Sequence, residues 1–174
     1  MTGCNVSGDS VESDKLLIEK LQGIETGDKV LSNTSWAYGY ADLRELASAC
    51  DIAALISVSS LEEYTLSGLL KTKYSAIVKK SFWGSIEGDE IKILMTGGSS
   101  DSQTVLSIDD PPMQVGDEFI IFTRKKNDGT YTILSGPQGR FTLDDGYVSS
   151  LEITGSRKIV DGMKFEDFVS EVMS

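Results

Sequence analysis

The fold is decided by Lys71-Thr72-Lys73-Tyr74-Ser75-Ala76-Ile77-Val78-Lys79, where small or apolar residues alternate with a second, lysine-rich set. Successive side chains of a strand point to opposite faces, so this alternation predicts a long strand with one buried face and one solvated, basic face. The stretch Ile52–Val58 alternates in the same way and predicts the preceding strand. We expect Glu62-Glu63-Tyr64 to form the turn between the two strands.

The chain continues with short apolar runs that glycine-containing turns separate. Further strands are predicted at Ile91–Met95, Phe119–Thr123, Tyr131–Leu134, Gln138–Leu143 and Tyr147-Val148. Asn127-Asp128-Gly129 is typical of a tight hairpin turn, because glycine adopts a positive φ without strain. Residues 97–113 are predicted to be a polar loop, and the Gln138-Gly139 step to be a bend within a strand.

A short helix is predicted before the strands and another after them. Asp42 resembles a helix N-cap with Glu45 three residues on, and Leu43, Leu46, Ala47 and Cys50 share one helical face. Cys50 is therefore predicted to be a buried, apolar core residue rather than a reactive thiol. Phe165, Phe168, Val169 and Val172 repeat with the same spacing and predict a C-terminal helix that covers the sheet.

The N-terminal region differs in composition from the rest of the chain. Residues 1–13 are rich in serine, glycine and aspartate and predict a flexible tether. Residues 14–41 are expected to form a short helix over 14–22 and an extended segment that packs on the domain formed by 42–174. Trp36, Tyr38 and Tyr40 alternate in that segment and either lie on the domain or form a surface that binds a partner.

Several of these segments together resemble one group of proteins. The segments are Asp51–Val58, Tyr74–Lys80, Gly88–Ile91, Val115–Phe122 and Gly136–Phe141. They resemble a group of uncharacterised secreted or lipid-anchored proteins from Gram-positive bacteria. The resemblance implies a mainly β fold with flanking helices: a small, closed or nearly closed antiparallel OB-like barrel, similar to netrin-like and metalloproteinase-inhibitor barrels, with a short helix before it and a C-terminal helix after it. It implies no catalytic residues.

Thr2-Gly3-Cys4 resembles the end of a bacterial lipobox, where a signal peptide is cut and the cysteine is lipidated. We therefore expect Cys4 to be the lipid attachment site and the membrane to be one partner of the chain. A lipidated Cys4 would leave Cys50 without a cysteine to pair with. The expected location is outside the cytoplasm, on a lipid anchor in the cell membrane.

Composition argues against the common kinds of active site. The chain has no histidine, which excludes a histidine-based triad and removes the commonest general base and metal ligand. The acidic turns do not have the ligand spacing of a calcium-binding loop. We expect no catalytic residues, no metal site and no cofactor, and therefore a protein that is not an enzyme.

A nucleic-acid-binding face is the alternative that the lysines raise. Lys71, Lys73, Lys79, Lys80 and Lys92 could line one face of the barrel, with Tyr74, Phe82 and Trp83 nearby. The net charge of −11 opposes this, because an acidic chain repels nucleic acid and anionic lipid over long range. Lysines on a solvated strand also protect it from pairing with other strands. We therefore predict no nucleic-acid partner.

The sequence thus predicts an extracytoplasmic, lipid-anchored, non-enzymatic binding domain for an unknown protein or small molecule. A protease inhibitor acting through the rim of the barrel is the alternative, and its only basis is the similarity to inhibitor barrels.

Overall fold

The computed structural model describes residues 28–32, 39–107, 110–151 and 158–174. The helices are α1 (Leu43–Ala49) and α2 (Phe165–Val172), with a 3₁₀ turn at Gly136–Gly139. The strands are β1 (Asp28–Ser32), β2 (Ile52–Leu66), β3 (Leu69–Trp83), β4 (Glu90–Thr96), β5 (Gly98–Ser99), β6 (Gln103–Ser107), β7 (Glu118–Lys125), β8 (Tyr131–Ile133), β9 (Arg140–Asp144), β10 (Tyr147–Ser150) and β11 (Met163–Lys164).

Five strands close a barrel in the order β2-β3-β4-β8-β7, with β7 returning to β2. The pairs are antiparallel except for β4 and β8, which run parallel where Ile93 faces Tyr131. This closed barrel has α1 before it and α2 after it, so the expected OB-like architecture is confirmed. Beyond the barrel, β9 pairs with β7 and leads to β10 and β11 at the edge of the sheet.

Two apolar cores lie on opposite sides of the barrel wall. One fills the barrel and includes Ile52, Ala54 and Ile56 of β2. The other lies between the outer wall and the helices, and Ala53 belongs to it. The alternation along β2 therefore sends neighbouring side chains into different cores, as the period of two requires. The outer core contains Phe122, Phe141 and Phe168, whose ring centroids are 5.4–6.2 Å apart.

The predicted turn at Glu62-Glu63-Tyr64 is wrong. These residues continue β2, where Glu62 faces Lys73 and Tyr64 faces Lys71 on β3. The chain reverses at Ser67-Gly68, whose φ angles of 52° and 78° match the tight turn that joins two twisted strands. Cross-strand pairing of opposite charges outweighs the low strand propensity of glutamate here.

Two further expectations are corrected. Residues 97–113 are not loop throughout, because β5 and β6 pair there and β1 adds to β6 in parallel. The predicted strand Gln138–Leu143 begins only at Arg140, since Gln138 lies in the 3₁₀ turn that bends the chain into β9. The Gln138 side chain accepts a hydrogen bond from the backbone N–H of Tyr40 at 3.0 Å, so it satisfies a backbone group as expected for a bend.

The helices form as predicted. The Asp42 side chain caps α1 by accepting a hydrogen bond from the Glu45 N–H at 2.9 Å, and Glu45 accepts one from the Ala41 N–H at 2.7 Å. Phe168 and Val172 of α2 are buried against the outer core. The predicted helix over 14–22 and the tether over 1–13 lie outside the described residues.

Candidate functional site

The hairpin formed by β2 and β3 extends past the closed part of the barrel. Each strand has 15 residues, but β7 pairs with β2 only as far as Ser57, and β4 pairs with β3 only from Lys71 onward. Beyond Lys71 the two strands of the hairpin pair with each other, and the Gly97 N–H adds one hydrogen bond to the Leu70 carbonyl. Three leucines of this hairpin are among the exposed large apolar residues: Leu61, Leu66 and Leu69. Leu66 and Leu69 lie opposite each other next to the turn, whereas Leu61 lies on the other face of the hairpin. Exposed apolar residues that lie together mark surfaces that contact other molecules.

We call the outward-facing side chains of β3 and β4 the lysine face: Lys71, Lys73, Ser75, Lys92, Leu94 and Thr96. Lys73 Nζ lies 2.6 Å from Glu62 Oε2, and Lys92 forms an ion pair with Glu90. Lys71 Nζ donates to Thr96 Oγ1 at 2.8 Å. The predicted basic face therefore exists, but two of its cations already have a carboxylate partner.

The electrostatics of this face follow from those contacts. The hydrogen bond and charge of Lys73 lower the pKa of Glu62, and the same bond raises the pKa of Lys73. Partial burial lowers the pKa of Lys71, and the charge of Lys126 lowers it further. Lys126 follows β7, so the turn between β7 and β8 adds a cation beside this end of the lysine face. Lys80, which the sequence suggested for the same face, is not part of the lysine face. Its Nζ lies 4.9 Å from the Phe165 ring centroid, against α2.

A buried polar cluster closes one end of the barrel interior, and sequence reasoning missed it. Arg140 is almost fully buried, and its Nη2 donates to Asp110 Oδ1 at 3.0 Å and to the Pro111 carbonyl at 2.6 Å. Its guanidinium also lies 5.1 Å from the Phe119 ring centroid. Nε and Nη1 of Arg140 have no hydrogen-bond partner among the described residues. Burial lowers the pKa of Arg140, while Asp110 and Tyr74 oppose that shift.

Tyr74 belongs to the same cluster and to the inner core. Burial raises the pKa of the Tyr74 hydroxyl to about 12, so it remains protonated at physiological pH. A small cleft opens above it, lined in part by Thr72, Gly97 and Asp110. Its cavity volume is about 10 Å³, the space of one water molecule, so the cleft does not hold a larger ligand in this structure.

Cys50 lies where the helical spacing predicted it. It is buried in the outer core just after α1, and its Sγ donates to the Ala47 carbonyl at 3.1 Å. Burial raises the pKa of the thiol to about 11, with a smaller contribution from the charge of Asp51. A thiol with that pKa is protonated at neutral pH and is a poor nucleophile.

Of the predicted site residues, only Tyr40 is described. It is half-buried and packs against the outer core, with its N–H bonded to Gln138. Trp36 and Tyr38 lie outside the described residues, as does the proposed lipid attachment site Cys4. The idea that these aromatic residues bind a partner stays a prediction.

Comparisons with known proteins give no relative from which to transfer a function. No model of a known protein family matches the chain. A search of curated proteins also finds no match. Among the described residues, no helix is long and apolar enough to cross a membrane. No group of three or more histidine, cysteine or acidic side chains there could hold a metal ion. Function is therefore argued from the geometry of the barrel and the N-terminal sequence.

Proposed function

We propose that this protein is a non-enzymatic binding module, held at the outer side of the cell membrane by a lipid on Cys4. The proposed partner is a protein or small molecule that meets the lysine face and the adjoining hairpin. The observation that carries the binding role is the extension of the β2–β3 hairpin beyond the barrel, with Leu66 and Leu69 exposed. The sequence Thr2-Gly3-Cys4 supports the location.

The position of the lysine face within the fold supports the binding role. In OB barrels, the face formed by the second and third strands and the loops beside it bind ligands. The corresponding strands here are β3 and β4, and the corresponding loops are Ser67-Gly68 and the turn that follows Lys126. The analogy between folds supports this surface as the binding surface.

The ion pair between Glu62 and Lys73 is exposed enough for an acidic group on a partner to take the place of Glu62. The Glu62 side chain is 64% exposed and that of Lys73 is 33% exposed. Such surface ion pairs contribute at most about 1 kcal/mol, so an acidic group on a partner can replace Glu62 at little cost. We therefore propose that the partner presents a carboxylate or phosphate group to Lys71 and Lys73.

A thermal-shift screen of compounds with carboxylate or phosphate groups tests the binding role. A ligand at a hundredfold excess over its Kd stabilises the folded state by about 2.7 kcal/mol. We expect the shift from a hit to disappear in Lys71→Ala/Lys73→Ala and to persist in Lys158→Ala/Lys164→Ala, which removes two lysines from the other end of the chain. A hit whose shift is equal in both variants would place the binding site elsewhere.

Fractionation of the producing bacterium tests the location. The wild type and Cys50→Ala are expected in the membrane fraction, whereas Cys4→Ala is expected to leave it. Proteolysis of intact protoplasts is expected to degrade the wild-type protein, because the proposed location is outside the membrane. Equal partitioning of wild type and Cys4→Ala would reject the anchor.

A further inference from the structure

One face of the β2–β3 hairpin changes in polarity in a regular order from its tip to its base. Leu66 pairs with Leu69 next to the turn, Tyr64 pairs with Lys71 one step behind, and Glu62 pairs with Lys73 one step further back. Partners in an antiparallel pair share a face, and every second residue of a strand returns to it. The face is therefore apolar at the tip, then aromatic and cationic, then an ion pair.

The tip is both exposed and well defined. Leu66 is 53% exposed and Leu69 is 56% exposed. The turn between them has two residues, Ser67 and Gly68, so it fixes which side chains lie opposite each other. Because two strand residues advance the chain by about 7 Å, the leucines lie roughly 7 Å beyond Tyr64 and Lys71 and roughly 14 Å beyond the ion pair.

The opposite face of the hairpin is covered on its β3 side. Leu70 and Thr72 are buried there, whereas Leu61 and Thr65 of β2 on the same face are exposed. The Gly97 N–H donates to the Leu70 carbonyl, the Thr72 hydroxyl donates to the Gly97 carbonyl, and the Ser99 N–H donates to the Glu63 side chain. On the face with the polarity gradient, both leucines at the tip are exposed, whereas β5 lies against β3 on the other face.

We propose that the tip of this hairpin inserts into the surface of a lipid bilayer with anionic headgroups. Leucines at the tip would enter the boundary between headgroups and acyl chains. Tyr64 and Lys71 would lie at headgroup level, where tyrosine and lysine side chains keep an apolar body in the lipid and a polar end in water. The ion pair between Glu62 and Lys73 would remain in water.

The local charge favours this occupant. Residues 64–71 contain one lysine and no acidic residue, and the charge of Lys126 lowers the pKa of Lys71. Of the two acidic residues just before this stretch, Glu62 is paired with Lys73, and Glu63 lies on the opposite face, where it accepts a hydrogen bond from the Ser99 N–H. Most of the acidic residues that give the net charge of −11 lie elsewhere in the chain. At physiological ionic strength, charges more than about 8 Å from the contact are largely screened. A soluble partner or a second copy does not require the apolar-to-charged order along one axis, whereas a bilayer has that order itself.

This contact rests on the proposed location at the membrane, since the hairpin needs a bilayer within reach. It deepens that proposal by naming a second, protein-mediated contact beside the lipid on Cys4. Vesicle binding of protein made without the lipid separates the two, because its outcome does not depend on whether Cys4 is modified in the cell.

The experiment is co-flotation of the unlipidated 174-residue protein with vesicles of equal parts phosphatidylglycerol and phosphatidylcholine. Leu66→Ser/Leu69→Ser is expected to weaken binding roughly tenfold, because half-exposed apolar area no longer leaves water. Lys126→Glu is expected to weaken binding to these vesicles and to leave binding to pure phosphatidylcholine unchanged. Circular dichroism checks that each variant is folded.

The matched control is Ile86→Ser/Val115→Ser, which removes two exposed apolar side chains from other loops. We expect this control to bind as the wild type does. The proposal is overturned if the wild-type protein does not float with the vesicles, or if the control loses as much binding as the tip variant. It is also overturned if light scattering shows a wild-type dimer that Leu66→Ser/Leu69→Ser dissociates, because a second copy would then occupy the tip.

Discussion

At Arg140, a guanidinium group lies out of water and forms an ion pair with a carboxylate. Asp110 supplies that carboxylate, and the Pro111 carbonyl accepts a second bond from the same nitrogen. Such a pair gives little net stability relative to apolar residues of equal size, because removing both charges from water is costly. Removing one partner leaves the other charge buried alone, and that costs more. The cluster therefore holds the segment from Asp110 to Met113 against the barrel.

A double-mutant cycle tests the ion pair between Asp110 and Arg140. Arg140→Met is expected to lower the free energy of unfolding by about 3–5 kcal/mol, because it leaves the Asp110 carboxylate buried without its cation. Asp110→Asn/Arg140→Met is expected to be more stable than Arg140→Met alone, since both charges of the pair are then removed together. Urea unfolding measures all four proteins. A double variant at least as unstable as the single Arg140→Met would show that Asp110 is not the residue that needs the cation.

The raised pKa of Cys50 predicts how the stability of the folded protein changes with pH. Its pKa rises from 9.0 to about 11 on folding, so the folded state holds the proton more tightly than the unfolded state. The protonated thiol therefore makes its full contribution to the free energy of unfolding below pH 9, and this contribution is lost as the pH rises through about 11. Alkylation needs the thiolate, so in a Cys4→Ser background the native protein should react at Cys50 only at a higher pH than the unfolded protein does. Native labelling as fast as in the unfolded protein at pH 8 would place Cys50 on the surface.

At the scale of elements, the turn after β3 depends on Gly84. A Cβ built at Gly84 would lie 2.0 Å from the carbonyl oxygen of Asp51, which is backbone at the start of β2 and cannot move aside cheaply. Its φ is also positive, at 72°. The turn therefore brings the end of β3 directly against the chain entering β2, and only glycine allows that approach.

Gly84→Ala and Gly88→Ala form a matched pair that separates the clash from the backbone strain. Both glycines have positive φ, but a Cβ at Gly88 meets no described atom within 4 Å. We expect Gly88→Ala to cost about 1 kcal/mol, the ordinary penalty of a positive φ. Gly84→Ala should cost clearly more in the same thermal or urea unfolding experiment. Equal costs would mean that the approach to Asp51 is looser than described.

The elements with strong periodicity were predictable, and those that depend on distant partners were not. The face of β3 with Thr72, Tyr74, Ala76 and Val78 is buried as its alternation predicts, and α1 and α2 occur where their apolar spacing places them. Glu62–Tyr64 were wrongly assigned to a turn because their stability as a strand comes from Lys73 and Lys71 opposite. The ion pair between Asp110 and Arg140 joins residues that are 30 positions apart, so no local sequence pattern predicts it.

The candidate site was predictable only in part. The lysines of β3 were visible as an alternating basic face, but their pairing with Glu62 and Glu90 required the register. The exposed tip was hidden because leucines such as Leu66 and Leu69 are usually core residues. The pairing Leu66–Leu69 across Ser67-Gly68 could have been read as a two-residue hairpin, which would have extended both strands.

At the scale of the whole molecule, closure of the barrel and extension of one hairpin are separate consequences of strand length. The strands that close the barrel pair over short stretches: β7 pairs with β2 only from Ile52 to Ser57, and β4 meets β8 only at Ile93 and Tyr131. The excess length of β2 and β3 then carries Leu66 and Leu69 away from the barrel wall. Together with a lipid on Cys4, this shape would give the membrane two points of contact with one domain.

The anchor on Cys4 is the central claim, and mass spectrometry of the N-terminal peptide tests it most directly. The protein is purified from the membranes of the cells that produce it and digested, and its N-terminal peptide is identified. The account predicts a peptide that begins at Cys4 and carries a diacylglycerol on the thiol, with Thr2 and Gly3 absent. A peptide that retains Gly3 and has an unmodified Cys4 thiol would contradict the account.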